Sequence, residues 1–152
     1  MVEMLHADLS ARKKINGITR SIMLYKNKPH PADAFISEYD ASYYAKMYKH
    51  DGYSGGHIII LNPEGSEYYE KDLEQAELAL SAYPNAMQIG GGININNAEK
   101  FLDMGATHVI VTSYVFCNGM IDYERLKSLS ALIGKEHLVL DLKKQLLLGH
   151  HL

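Results

Sequence analysis

The chain has 152 residues, of which 47% are hydrophobic and 22% charged, and its formal net charge is -3. That length bounds it to one domain, residues 1–152, large enough to bury a core, and the composition excludes a disordered chain. The slight acidity gives no reason to expect nucleic acid or an anionic membrane as partner, and no run of about 18 apolar residues is present to span a bilayer.

The first forty residues are the least patterned. "EMLHADL" has the composition of a strand, and "NGITRSIMLYKNK" has hairpin-like character with a turn at Gly17. "MVEMLHADLSARKK" lacks the apolar core of a secretory signal, and its "ARKK" cluster reads as solvated surface. From Asp40 onward the pattern sharpens. "DASYYAKMYK" places Ala41, Tyr44, Ala45 and Tyr48 on one helical face, with Asp40 as the cap. "GGHIIIL", Gly55 to Leu61, is a short continuous apolar run, the pattern of a strand buried on both faces. After the loop "NPEGS", Tyr69, Leu73, Ala76 and Leu80 recur at helical spacing until Pro84 and Asn85 stop them.

"AMQIG" is the next strand. "NNAEKFLDMG" is a helix with Ala98, Phe101 and Leu102 inward, Asn94 or Asn96 as cap, and Gly105 as stop. "THVIVTS" is a strand, and "IDYERLKSLSALIG" is a helix capped at Asp122 that carries Leu126, Leu129 and Ile133 to a stop at Gly134. "HLVLDL", His137 to Leu142, is the last strand. Strands and helices that alternate in this way predict βαβ units, a parallel sheet and right-handed crossovers.

Three consecutive glycines, Gly90, Gly91 and Gly92, end the "AMQIG" strand. Each glycine in regular structure costs about 0.5–1 kcal/mol relative to alanine. In parallel α/β sheets, ligands bind outside the carboxyl ends of the strands. Bare backbone N–H groups there form a site for an anion, and Thr112 and Ser113 end the following strand in the corresponding place. A tight turn that only eases packing is the alternative. Contiguous glycines do not match the G-x-G-x-x-G dinucleotide pattern, and no Walker A lysine follows them.

The eight histidines are scattered, with His57 and His108 at strand starts, and no metal-ligand spacing occurs, so no metal is expected. Cys117 is the sole cysteine and reads as a bystander. It allows no intrachain disulfide, which fits a reducing cytoplasm.

"SYYAKMYKHDGYSGGHIIILNPEG", "MQIGGGIN" and "ATHVIVTSYVF" together resemble the phosphoribosylformimino-5-aminoimidazole carboxamide ribotide isomerases of histidine biosynthesis, in their eukaryotic-type branch. The resemblance runs from Phe35 to Leu142 and covers only the N-terminal half of that family's pattern. It implies a (β/α)8 TIM barrel, present here as about half a barrel. It implies that Gly91, Gly92, Thr112 and Ser113 hold a phosphate of a small phosphorylated ribotide. The chemistry implied is an Amadori aldose-to-ketose rearrangement with no metal and no organic cofactor. Two carboxyl groups carry it, and Asp8 and Asp141 are the positions that match. For Asp8 a surface or capping aspartate remains the alternative, and for Asp141 a structural one.

A full barrel runs to about 250 residues. The family's second half is missing here, and "KKQLLLGHHL" after Leu142 has no counterpart. A part-barrel leaves open strand edges, which predicts a homodimer that completes a barrel or a poorly soluble chain. Two other functions stay open. One is a non-catalytic phosphate-binding half-barrel, and the other is the cyclase subunit of imidazole glycerol phosphate synthase, which has a similar glycine turn.

Overall fold

The computed structural model describes residues 2–5, 22–24, 39–53 and 55–141. Two short strands come first, β1 (Val2–Leu5) and β2 (Ile22–Leu24). The alternating part follows as α1 (Ala41–His50), β3 (Gly56–Ile60), α2 (Tyr69–Ala82), β4 (Met87–Gly90), α3 (Ala98–Asp103) and β5 (His108–Val111). A two-strand hairpin of β6 (Phe116–Cys117) and β7 (Met120–Ile121) leads into α4 (Tyr123–Ile133), a 3-10 turn and β8 (Leu138–Leu140). The main sheet has the order β2-β1-β3-β4-β5-β8.

β3, β4, β5 and β8 are parallel, in the register Ile58↔Ile89↔Val109↔Leu138. This is an α/β fold of the (β/α)8 barrel class, present as about half a barrel. The helix faces read from the apolar spacing are the buried ones. Ala41, Tyr44, Ala45 and Tyr48 are buried on α1, and Tyr69, Leu73, Ala76 and Leu80 on α2. Asp40 caps α1 by accepting from the N–H groups of Ser42 and Tyr43. α1 packs on α2, and Gln75 Oε1 accepts from the Ala41 N–H at 2.9 Å. Asp122 caps α4 by accepting from the Arg125 N–H.

Some sequence expectations need correction. β3 is not buried on both faces: Ile58 and Ile60 are buried, whereas His57 and Ile59 are half-buried. Ile58, Ile60, Met87, Ile89, Val109 and Val111 form one core with the helices, so the helices cover a single face of the strands. On the other face Gly90 and Ile110 are buried, beside half-buried Ile59, Gln88 and His108. β1 and β2 also depart from an all-parallel sheet. β1 pairs antiparallel with β3, with Val2 opposite Ile60 and Leu5 opposite His57, and β2 pairs antiparallel with β1. The carboxyl end of β1 therefore lies at the amino end of β3.

Asn97 is the residue before α3, and its side chain bonds into the preceding loop. Asn94 caps the turn that leads into the helix, its Oδ1 accepting from the Asn96 N–H at 2.8 Å and its carbonyl from the Ala98 N–H at 3.1 Å. The hairpin Phe116–Ile121 lies between β5 and α4, in a segment for which the sequence suggested no element. It turns through Asn118 at φ 52° and Gly119 at φ 77°, the left-handed pair that a two-residue hairpin requires. Gly17 lies outside the described residues.

Candidate functional site at the carboxyl edge of the sheet

The parallel register sets the site. Gly90 pairs with Ile110, and Val111 pairs with Leu140. The residues that follow these strands therefore emerge side by side on one edge: Gly91 and Gly92 after β4, Thr112 and Ser113 after β5, and Asp141 after β8. Asp141 is tied to this row by its own N–H, which donates to the Val111 carbonyl at 3.1 Å, and the residue is exposed. Five of the six residues singled out from the sequence are thus brought together. The sixth, Asp8, lies outside the described residues.

Gly91 has φ 98°, and a β-carbon built on it would overlap the Ile60 carbonyl. Only glycine lets the β4–α3 turn lie this close to the end of β3. Gly92, at φ 68°, faces open space. Asn97, buried in the turn, holds the loop from both ends of its amide. Its Nδ2 donates to the Gly92 carbonyl at 2.9 Å, and its Oδ1 accepts from the Asn94 N–H at 2.8 Å. No hydrogen bond among the described residues engages the N–H groups of Gly92, Ile93 or Ser113. Ser113 is exposed and Thr112 half-buried.

On the other flank of the glycine turn is a cleft of about 170 Å³ between the turn and the β3–α2 loop. Ile60 forms part of its wall, with Asn62, Glu64, Tyr69, Gly91 and Gly92 around it. Burial pushes the Tyr69 hydroxyl above its ordinary pKa, the carboxylates of Glu64 and Glu70 add to the rise, and the Asn97 side chain opposes it. Asn62, Glu64 and Tyr69 were not singled out in the sequence. "NPEGS" carries turn residues that read as loop chemistry alone, and Tyr69 reads as a helix-face residue.

Cys117 is half-buried and receives the Arg125 guanidinium at 3.6 Å, while the same guanidinium donates to the Tyr114 carbonyl at 3.2 Å. His108 and His137 both meet Thr107, His108 at the side-chain oxygen and His137 at the carbonyl, at the end of the sheet away from the glycines. Among the described residues no cluster of His, Cys, Asp and Glu has the makings of a metal site, and no helix is long and apolar enough to cross a membrane.

No family model matches the chain. Curated relatives do. The chain is 46% identical over 130 residues to the chloroplastic 1-(5-phosphoribosyl)-5-((5-phosphoribosylamino)methylideneamino)imidazole-4-carboxamide isomerase of Medicago truncatula, a match that covers 86% of this chain and 40% of the relative. It is 43% identical over 113 residues to the isomerase of the same name from Candida albicans, covering 71% of this chain and 39% of that one. For the Saccharomyces cerevisiae isomerase the figures are 35% over 130 residues, with 85% and 47% covered. The chain thus spans less than half the length of these relatives.

Proposed function

Because the chain belongs to this family of imidazole-carboxamide ribotide isomerases, as a partial member, we propose that it binds a phosphorylated ribotide and takes part in the Amadori rearrangement of histidine biosynthesis. The observation that carries the reading is the shared edge, where Gly91–Gly92, Thr112–Ser113 and Asp141 follow three neighbouring parallel strands. The unengaged N–H groups of Gly92, Ile93 and Ser113, with the Thr112 and Ser113 hydroxyls, suit a phosphate.

The rearrangement needs two proton-transfer groups. One carboxylic acid gives a proton to the ring oxygen as the C1–O bond breaks, leaving a C1 iminium. A second carboxylate then takes the proton from C2, and the resulting enaminol tautomerises to the ketose. Each positioned acid or base contributes about 10²–10⁴-fold. We assign one role to Asp141, which stands on the phosphate edge, and the other to Asp8. No metal or organic cofactor enters this scheme.

A second reading is a phosphate-binding half-barrel without turnover. One observation favours it: the antiparallel β1, whose Leu5 end lies beside His57, away from the glycine turn. The cyclase reading is set aside, since the relatives compared carry the isomerase name. Isomerase turnover by the purified 152-residue chain supports the first reading. Ribotide binding without turnover supports the second, and absence of binding refutes both.

The same reading extends to assembly and compartment. Among the described residues β8 is a sheet edge whose three residues are all half-buried, and we propose that a second copy covers it. A cytoplasmic location rests on the single Cys117, and the Medicago relative is chloroplastic by name.

A further inference from the structure

Asp72 is a carboxylate with only 5% of its surface exposed, on the face of α2 that also buries Leu73 and Ala76. A buried charge disfavours folding unless hydrogen bonds compensate it. One oxygen of this carboxylate accepts twice from Asn62, from its backbone N–H at 3.3 Å and from its Nδ2 at 2.9 Å. Asn62 stands two residues beyond the end of β3 and is itself 8% exposed. Leu61, Pro63 and Glu64 around it are exposed, so Asn62 is the buried anchor of this loop.

The loop is one wall of the cleft, and the glycine turn is the facing wall. The facing wall is already held, by the contact of Gly91 with the Ile60 backbone and by the Asn97 bond to the Gly92 carbonyl. The width of the cleft is therefore set by where Asn62 holds the loop. Its lining suits a sugar. Ile60 offers an apolar surface, the Glu64 carboxylate accepts from hydroxyls, and the phosphate amides lie at the adjoining turn.

We propose that Asp72 is a positioning residue which, through Asn62, sets the cleft wall that receives the sugar carrying the phosphate. The proposal rests on the phosphate reading given above.

Titration calorimetry with inorganic phosphate and with ribose 5-phosphate separates the two claims. Inorganic phosphate reports the glycine turn, and the extra affinity of ribose 5-phosphate reports the cleft. In Asp72→Ala, which removes the acceptor that holds Asn62, that extra affinity is expected to fall by about tenfold or more, while phosphate affinity stays within about twofold. Leu80→Val, which loosens the same helix away from the cleft, is expected to leave the extra affinity intact. If Asp72→Ala does not fold, Asn62→Ala serves in its place, because it removes the shorter Nδ2 bond to Asp72 and leaves the carboxylate the backbone N–H. An unchanged ribose 5-phosphate advantage in the Asp72 or Asn62 variant overturns the proposal, as does an equal loss in Leu80→Val. A wild-type chain that binds neither ligand overturns the phosphate reading, and this proposal with it.

Discussion

Gly91 lies against the Ile60 carbonyl so closely that a β-carbon would overlap it, and this contact joins the ends of β3 and β4. Alanine at Gly91 must both hold φ near 98° and displace backbone, and is expected to destabilise the chain by about 2–4 kcal/mol. Alanine at Gly92 meets open space and bears only the left-handed backbone penalty, about 1–2 kcal/mol. Urea melts of the two variants check this. Equal losses at both positions would refute the close-approach account.

Ser113 is exposed at the edge where the phosphate is proposed to bind. Ser113→Glu is expected to leave stability within about 0.5 kcal/mol, because no buried contact is lost. The added carboxylate repels the anion and should weaken phosphate binding by about tenfold or more. Calorimetry at low ionic strength measures it. Unchanged affinity would remove Ser113 from the site.

Asp141 is exposed, and its backbone N–H, not its side chain, makes the bond to Val111. Asp141→Asn keeps that bond. If the chain turns over its substrate, this variant is expected to lose about 10²–10⁴-fold in rate while phosphate affinity holds. A parallel loss of binding would make Asp141 a structural residue.

The Asp40 cap makes a pH prediction. Its carboxyl is held below the usual value, first by the Ser42 hydroxyl at 2.6 Å, which outweighs the opposing effect of burial, and further by the N–H groups of Tyr43 and Ser42 and the charge of Lys46. A carboxyl with a lowered folded-state pKa stabilises fully above its unfolded value, about 3.9, and loses that contribution as pH falls through the folded value. Asp40→Ala is therefore expected to cost about 1 kcal/mol at pH 7. The gap from wild type should shrink below about pH 4. A gap that is constant from pH 7 to pH 3 would show that the charge contributes nothing.

Among the described residues β8 ends the parallel run as a sheet edge, and Val139, opposite Ile110 in register, is half-buried. Unpaired edges recruit further strands. Sedimentation at high micromolar concentration is expected to show self-association, and Val139→Lys to weaken it, since charged side chains blunt edges. A well-behaved wild-type monomer would count against the half-barrel pairing.

Local pattern alone determined a good deal of this protein. The spacing of Ala41, Tyr44, Ala45 and Tyr48, and of Tyr69, Leu73, Ala76 and Leu80, specified two helices and their inward faces, because helical period is a property of neighbouring dihedrals. Strand and helix alternation specified the parallel sheet. That sheet order carried Gly91, Gly92, Thr112, Ser113 and Asp141 to one edge without any contact being known. The Asn118–Gly119 turn carries a hairpin signal that the sequence reading missed, because it sits between runs too short to read as strands.

What the tertiary structure decided was partnership over distance. Nothing in "LNPEGS" says that Asn62 will be held by a carboxylate ten residues on. Nothing in the continuous "HIII" run says that the helices will cover Ile58 and Ile60 and leave Ile59 half-buried. Nor does "VEML" state its direction against β3. Apolar periodicity encodes which side of an element avoids water. The pairing of buried polar groups and the direction of an edge strand depend on what the folded chain brings alongside, and only the assembled sheet settles those.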